Sequence, residues 1–212
     1  MLARQTDPPK MTFEEYLEWE ALQDEKWELV DGYPVRRSDR WSYDPATGMA
    51  GATRAHNRIV ANLIRHLGNR LAGGPCTPLP SDIKLRSGKG NARYPDVTVD
   101  CGSARNDSLL VAEPRVLFEV LSASNTFLQQ VQLLDDYQAT DAVKQIAWIE
   151  QDQMAVILWS REGNGWRRDT AEAADGVLDL ISIGVSLPLN EVYEGLEFGA
   201  APPRRGNVRR PQ

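Results

Sequence analysis

The sequence VLFEVL at residues 116–121 contains one charged side chain, Glu119, in an otherwise apolar run. A short apolar run of this kind predicts a strand that is buried on both faces of a sheet. A carboxylate in that position costs free energy unless it is protonated, paired with a cation or bound to a metal ion. Glu119 is therefore a candidate metal ligand, and a buried ion pair with an arginine is the alternative interpretation.

A second acid, Asp96, lies upstream in the sequence YPDVTVD at residues 94–100, which also predicts a strand. The segment between Asp96 and Glu119 is long enough for a strand, a connection and an adjacent strand. Two acids at the ends of neighbouring strands form a natural site for a divalent cation. The alternative is structural, because a proline–aspartate pair is typical of the start of a strand or a turn.

The composition predicts one globular domain without a membrane span. The 212 residues are 42% hydrophobic and 25% charged, which is typical of a soluble protein with a sizeable core. We expect a flexible N-terminus at 1–10, a single domain at 11–198 and a disordered arginine-rich tail at 199–212. The N-terminus lacks the apolar middle of a secretory signal. We therefore expect a cytoplasmic protein in which Cys76 and Cys101 are reduced thiols and small buried side chains.

The charge is unevenly distributed along the chain. The net charge is −6, although four of the 24 basic residues are tail arginines: Arg204, Arg205, Arg209 and Arg210. The remaining acidic body disfavours unaided binding to a phosphate backbone. It fits better with metal binding or with a local basic patch. We interpret the tail as a solvated terminus, with a nucleic-acid-binding arm as the alternative.

Local signals predict the first elements of the chain. Thr12 and Glu15 form a capping box ahead of a short helix at 13–22. Residues 27–30 predict a strand, which the Asp31-Gly32 pair ends in a turn.

The rest of the chain alternates between helical and extended patterns. A polar loop at 36–48 precedes an amphipathic helix at 53–71, and a second helix is predicted at 127–137 before a last helical turn at 190–193. The strands predicted are 81–86, 94–100, 115–121, 145–150, 154–160, 166–170 and 177–181. Together these elements predict an α/β (α+β) fold, a mixed sheet flanked by helices.

The motifs around the two acids resemble a known family. Tyr94-Pro95-Asp96-Val97 followed by residues 118–122 (FEVLS) is similar to the Uma-two family of restriction-endonuclease-like proteins, in the PD-(D/E)XK nuclease superfamily. Further matching features are the sequence WELVDG at 27–32, the sequence MAGAT at 49–53 with His56, Pro75-Cys76, Tyr137 and Trp148.

This resemblance implies a restriction-endonuclease-like fold and a metal-dependent endonuclease that hydrolyses DNA phosphodiester bonds. Asp96, Glu119 and the main-chain carbonyl of Val120 would bind Mg²⁺ or Mn²⁺. Glu28 would add an outer-shell carboxylate. Nucleases of this class often pair so that two sites meet two strands, and we therefore expect a homodimer.

The chain departs from the family at the basic residue of the site. The usual lysine position, two residues after the second acid, is Leu121. In the variant pattern D-x-x-x-K-x-x-x-Y, counted back from Tyr137, the lysine position is Leu133 and the acid position is Gln129. Because both charges are missing, a catalytically inactive nuclease fold that serves as a binding or regulatory module is the second hypothesis. A purely structural homo-oligomer is the third.

Three further residues have a functional and a structural interpretation. We expect Lys84 on the strand paired with that of Asp96, where it is the candidate replacement base if it points to the same face; the alternative is a solvated strand lysine. Glu28 is the auxiliary acid, or else a surface or capping residue. His56 lies near the start of the long helix and is either a substrate contact or a capping or hydrogen-bonded residue.

Overall fold

The computed structural model of the protein describes residues 8–37, 52–121 and 126–198. Several sequence predictions fall on other residues. Most of the N-terminal segment 1–10, nearly all of the loop at 36–48 and the arginine-rich tail at 199–212 lie outside the described ranges.

Four α-helices and twelve strands make up the described chain. The helices are α1 (Phe13–Glu20), α2 (Arg54–Leu71), α3 (Phe127–Gln138) and α4 (Leu189–Val192), with a 3-10 helix at Ile181–Ile183. The strands are β1 (Trp27–Val30), β2 (Tyr33–Arg36), β3 (Thr77–Pro80), β4 (Leu85–Arg86), β5 (Ala92–Arg93), β6 (Val97–Asp100), β7 (Pro114–Leu121), β8 (Gln145–Glu150), β9 (Ala155–Glu162), β10 (Gly165–Glu172), β11 (Val177–Leu180) and β12 (Val185–Pro188). None of these helices is both long and apolar enough to cross a membrane.

The central sheet has six strands in the order β10-β9-β8-β7-β6-β3. β7 and β8 run parallel, whereas the other neighbours are antiparallel, so the sheet is mixed as predicted. Two smaller sheets accompany it, one in the order β2-β1-β5-β4 and the other formed by β11 and β12. The predicted α/β (α+β) class is confirmed.

Polar caps begin the three longer helices. Thr12 and Glu15 form the predicted capping box of α1, and Thr53 caps α2 by accepting a hydrogen bond from the backbone of His56. Thr126 and Gln129 form a second capping box at the start of α3. Each cap satisfies backbone N–H groups that the first turn of a helix leaves without partners, which is why these helices begin at these residues.

The two faces of β7 contribute to two different cores. Phe118 and Val120 pack in the core beneath α2, whereas Leu117 and Leu121 pack in the core beneath α3. Side chains alternate along a strand, so Glu119 shares its face with Leu117 and Leu121. The only acid of this apolar run therefore points toward α3.

The strand predicted at 81–86 is wrong in its position. β3 ends at Pro80, a turn follows, and only Leu85–Arg86 is extended, in the sheet with β5 rather than beside β6. Lys84 forms an isolated bridge to Leu110. The prediction that Lys84 lies on a strand paired with that of Asp96 is therefore wrong. On its side away from β7, β6 pairs with β3, a proline-containing strand at the edge of the sheet, where proline is tolerated.

The two cysteines form a disulfide bond, so the prediction of reduced thiols is wrong. Cys76 precedes β3 and Cys101 follows β6, and the register pairs Thr77 with Asp100. The two cysteines consequently face each other across adjacent strands. Both side chains also pack against the core beneath α2, as expected for small apolar groups.

Candidate active site

The first feature of the site is the close approach of Asp96 and Glu119. The antiparallel register pairs Val97 with Phe118, and its continuation by one residue places Asp96 opposite Glu119. The backbone N–H of Val120 donates a 2.8 Å hydrogen bond to Oδ2 of Asp96. Both acids are buried, with 6% and 2% of their surfaces exposed. Residues that lie opposite each other on antiparallel strands point to the same face, so the register places both acids on one face of the sheet.

The carboxyl of Glu119 is buried and strongly perturbed. The Tyr137 hydroxyl donates a hydrogen bond to its Oε1 atom. Burial, and then the charge of Asp96, raise the pKa of Glu119 well above its usual value, although Tyr137 and Arg37 oppose the shift. Within the described ranges Glu119 forms no ion pair with a basic side chain. The part of the chain that the structure describes therefore does not contain the alternative, a buried pair between Glu119 and an arginine.

Asp96 has several partners around its two oxygens. His56 Nε2 lies 3.1 Å from Oδ2, the atom that also accepts from Val120. Arg37 Nη2 lies 3.7 Å from Oδ1. Among the described residues, Asp96 therefore has polar and charged partners from several elements, whereas the hydrogen bond to Glu119 comes from the Tyr137 phenol.

His56 reaches the site from the first turn of α2. Thr53 provides the cap of this helix, so the imidazole is free to turn inward toward Asp96. Its Nδ1 atom is buried and has no hydrogen-bond partner among the described residues. The interpretation of His56 as a hydrogen-bonded histidine agrees with these contacts, whereas the interpretation as a cap through its side chain does not.

Glu28 is a buried residue of β1, not a surface or capping residue. Arg93 Nη1 lies 2.9 Å from its Oε2 atom. Burial raises the pKa of Glu28, and the positive charges of Arg93 and Arg37 oppose that shift. Glu28 also contributes to the raised pKa of Glu119, which places it within electrostatic reach of the two acids.

A fully buried arginine connects Glu28 to α3, and the sequence patterns did not predict it. Arg93, at 0% exposure, contacts Oδ2 of Asp136 through Nε at 2.6 Å and Nη2 at 2.5 Å. The Asn91 side-chain amide donates to the same carboxylate at 2.9 and 3.0 Å. We call Arg93, Glu28, Asp136 and Asn91 the Arg93 network. A local signal is lacking, because the partners lie far apart in the sequence.

Lys84 belongs to a different charge pair. Its Nζ atom lies 2.9 Å from Oε2 of Glu20, and the Tyr94 hydroxyl donates to the other oxygen of that carboxylate at 2.5 Å. The lysine is buried rather than solvated. Its assignment as the replacement base stays a prediction, and the structure joins it to Glu20 rather than to Asp96 or Glu119.

The two positions where the variant pattern has charges serve packing and capping. Leu133 is 2% exposed and packs in the core with Leu117 and Leu121. Gln129 is the third residue of α3, and its side chain accepts from the backbone of Thr126 in the capping box. An apolar contact and a neutral cap therefore replace the missing lysine and acid.

Arg37 is a site residue that the sequence patterns missed, because it falls at the start of the predicted polar loop. Its guanidinium donates to the carbonyl of Tyr94 at 3.2 Å and to that of Ser81 at 3.4 Å. It also lies 5.5 Å from the centroid of the Tyr94 ring. These contacts hold a permanent positive charge beside Asp96.

The donor atoms of the site suit a hard divalent cation. Asp96 and Glu119 contribute carboxylate oxygens from neighbouring strands. A cation between them would offset the burial and the repulsion from Asp96 that together raise the pKa of Glu119. The described residues contain no cluster of three or more histidine, cysteine, aspartate or glutamate side chains suited to a metal. Main-chain oxygen and water would have to complete the shell, which agrees with Mg²⁺ and Mn²⁺ because Mg²⁺ typically keeps several waters.

Comparisons with known proteins extend over nearly the whole chain. The family model described as Uma2, putative restriction endonuclease, matches residues 13–190. The uncharacterized protein slr1290 of Synechocystis sp. is 29% identical over 193 residues, which cover 90% of this chain and 95% of that relative. The matched family segment contains Glu28, Asp96 and Glu119.

Proposed function

Because this chain belongs to the Uma2 family of putative restriction endonucleases and has a restriction-endonuclease-like fold, we propose that it is a metal-dependent endonuclease acting on DNA phosphodiester bonds. The observation that carries this proposal is the meeting of Asp96 and Glu119 across β6 and β7. Two buried acids with incomplete compensation form a site that a cation would stabilise.

Asp96, Glu119 and the main-chain carbonyl of Val120 would hold Mg²⁺ or Mn²⁺ in this proposal. When bound, such a cation lowers the pKa of a coordinated water and neutralises charge on the phosphate. Glu28 is the auxiliary carboxylate, and its ion pair with Arg93 fixes its orientation.

The protein's own groups hold these ligands in place. The backbone of Val120 and the imidazole of His56 fix one oxygen of Asp96, and the Tyr137 hydroxyl fixes one oxygen of Glu119. Ligands that are already oriented lose little freedom when the substrate arrives. Hydrolysis then adds water to phosphorus and breaks one P–O bond, giving a phosphate monoester and a free hydroxyl.

Titration of Mn²⁺ into the protein by isothermal calorimetry tests the ligand assignment. We expect binding to the unaltered protein and its loss in Asp96→Asn, because one charged donor is removed. Asp107→Asn is the matched control, since Asp107 is exposed and pairs only with Arg105 among the described residues. Unchanged Mn²⁺ binding by Asp96→Asn would contradict the assignment.

Cleavage of supercoiled plasmid DNA tests the activity itself. We expect nicked and linear products with Mg²⁺ or Mn²⁺ and none with a chelator. An active protein that keeps its full rate in the Glu119→Gln variant would argue against this site as the centre of hydrolysis.

The second candidate function, an inactive nuclease fold that binds or regulates, is favoured by the apolar burial of Leu133 and the neutral cap of Gln129. The double variant Leu133→Lys with Gln129→Asp restores the charges of the family pattern. Cleavage that is gained only in this variant favours the inactive module, whereas cleavage by the unaltered protein rejects it.

DNA as the substrate, a cytoplasmic location and a homodimer belong to the same proposal. The described body is acidic overall, so bound cations would have to lower the repulsion from DNA phosphates. Light scattering after size-exclusion chromatography measures the mass of the assembly, and a dimer is expected because it would present two sites to the two strands of a duplex.

A further inference from the structure

We propose that Arg37 supplies the positive charge that the missing lysine would otherwise bring to the scissile phosphate. This inference rests on the proposed nuclease function and adds a residue to it. Leu121 and Leu133, the two positions where a lysine is expected, are both apolar and buried in the core beneath α3. The site therefore needs a cation from another element, and Arg37 follows the end of β2.

The position of Arg37 is set by three contacts outside the acid pair. Two main-chain carbonyls, those of Tyr94 and Ser81, accept hydrogen bonds from the guanidinium, and the Tyr94 ring lies beneath it. Nη2 lies 3.7 Å from Asp96 Oδ1, which is an ion pair without a hydrogen bond between the two groups. These contacts hold the Arg37 guanidinium at the edge of the site, and it forms no hydrogen bond with the Asp96 carboxylate.

Its charge reaches each acid of the site. Beside its contact with Asp96, the positive charge of Arg37 opposes the upward pKa shifts of both Glu119 and Glu28. Two buried cations near these strands have closer carboxylate partners: Arg93 is bound to Glu28 and Asp136, and Lys84 to Glu20. Among the described residues, the carboxylate paired with Arg37 is 3.7 Å away.

The chemistry of a guanidinium suits a phosphate ligand. A guanidinium has five N–H donors in a planar fork, and two of its nitrogens are engaged with carbonyls here, so donors remain for phosphate oxygens. The Arg37 side chain is 20% exposed, so a ligand can reach it. An arginine stays protonated at all accessible pH values and cannot act as a base. Its role is therefore to stabilise negative charge in the transition state, not to take a proton from water.

Mn²⁺ affinity and cleavage rate together separate this role from a structural one. Arg37 and a metal ion both bring positive charge to the acid pair, so the two compete electrostatically. Removal of Arg37 leaves the acid pair more negative, so Mn²⁺ should bind as tightly as before or more tightly. The same change should slow cleavage, because a transition-state contact is lost. A merely structural arginine would misplace Asp96 on removal, and both Mn²⁺ binding and cleavage would weaken.

The experiment compares Arg37→Ala, Arg37→Lys and the matched control Arg36→Ala. Arg36 is the preceding residue of β2, and its guanidinium lies over the Trp27 ring and 3.4 Å from the Glu25 carboxylate. We expect Arg37→Ala to lower kcat by roughly 100-fold, the effect typical of losing one group that stabilises transition-state charge, with KM changed little. Arg37→Lys should recover part of kcat, and Arg36→Ala should keep it. Calorimetry with Mn²⁺ should give Kd values no weaker than that of the unaltered protein for all three.

Each outcome decides between the proposals. Full cleavage by Arg37→Ala in an otherwise active protein overturns the role of Arg37 and leaves the nuclease function intact. A parallel loss of Mn²⁺ affinity and kcat also overturns it, in favour of a structural arginine. Failure of the unaltered protein to cleave DNA with Mn²⁺ or Mg²⁺ rejects the nuclease function, and the role of Arg37 falls with it. Circular dichroism of each variant confirms that the chain is folded.

Discussion

Two groups of buried charge lie side by side in this protein, and they are compensated in different ways. In the Arg93 network, Arg93 contacts the carboxylates of Glu28 and Asp136 at 2.5 to 2.9 Å. The side-chain amide of Asn91 donates a further hydrogen bond to Asp136. In the acid pair, formed by Asp96 and Glu119, the arginine that pairs with Asp96 among the described residues, Arg37, lies 3.7 Å from one of its oxygens. Glu119 has a phenol as its hydrogen-bond donor.

The difference indicates which group is structural and which is able to bind a ligand. Buried charges that are fully paired hold elements together, and the loss of one partner leaves the other uncompensated. Buried acids that lack a full complement of cations keep a perturbed pKa and attract a cation. The Arg93 network therefore joins β1, β5 and α3, whereas the acid pair is open to a metal ion.

The largest expected effect comes from breaking the Arg93 network. Arg93→Met removes the charge and leaves Glu28 and Asp136 buried without it, which should lower the free energy of unfolding by about 3–5 kcal/mol. Urea denaturation measures the change. Arg105→Met is the control, because its pair with Asp107 is exposed and should contribute at most about 1 kcal/mol. Equal losses in the two variants would contradict the structural role of the network.

A charge placed beside the acid pair tests whether that pair lacks a cation. Leu133 lies one helical turn before Tyr137, whose hydroxyl contacts Glu119. Leu133→Lys buries an ammonium and should destabilise the protein by roughly 2 kcal/mol. The loss should be larger by about 1 kcal/mol in a Glu119→Gln background, since residues in contact give coupling energies of this size. Equal losses in both backgrounds would show that the lysine does not sense Glu119, and Leu133→Met controls for packing alone.

The pH dependence of stability should distinguish the acid pair from a fully paired carboxylate. The folded-state pKa of Glu119 is raised above its usual value of 4.5, so folded protein binds this proton more tightly than unfolded protein. The stability that protonated Glu119 contributes to the folded protein is fully present below about pH 4.5, and it is lost as the pH rises through the folded-state pKa. Glu119→Gln should therefore flatten the fall of the melting temperature with rising pH and stabilise the metal-free protein at neutral pH by on the order of 1 kcal/mol.

Mn²⁺ provides the complementary measurement on the same group. A cation that replaces the proton should restore stability at neutral pH in the unaltered protein and have no such effect on Glu119→Gln. Thermal melts between pH 4 and pH 8, with and without Mn²⁺, measure both changes. A melting curve that depends on pH identically in the two proteins would refute the assigned direction of the shift.

The smallest effect on stability is expected from removal of the Tyr137 hydroxyl, which donates a hydrogen bond to Glu119. Tyr137→Phe removes one hydrogen bond in a buried site and should cost about 1 kcal/mol of stability. The pKa of Glu119 should rise further, because the hydrogen bond from Tyr137 now lowers it. Chemical denaturation at two pH values checks this, and a fully stable variant at neutral pH would show that the phenol contributes nothing to the acid pair.

Sequence reasoning was accurate where the signal is local. The apolar run around Glu119, the capping box of Thr12 and Glu15 and the turn at Asp31 all lie where the patterns predict. Each depends on residues a few positions apart, whose backbone geometry the side chains favour directly. The candidate acids could be named for the same reason, since a charged residue within an apolar run can be recognised from the sequence alone.

Partners that are distant in the chain could not be found in this way. Lys84 binds Glu20 and Arg93 binds Asp136 because turns and strand pairing bring them together. The pairing of β3 with β6 brings Cys76 opposite Cys101, and the disulfide bond between them makes the prediction of reduced thiols wrong. Spacing along the chain carries no information about any of these pairings.

The amino-acid sequence by itself determined the mixed sheet, its main helices and the two acids on which the family resemblance depends, because periodicity, caps and apolar runs act over short distances. Only the tertiary structure decided that the acids share one face, that Arg93 compensates Glu28 and that Arg37 lies beside Asp96. The physical reason is that the electrostatic environment of a buried charge depends on every group within several ångströms. Those groups come from different elements that only the folded chain brings together.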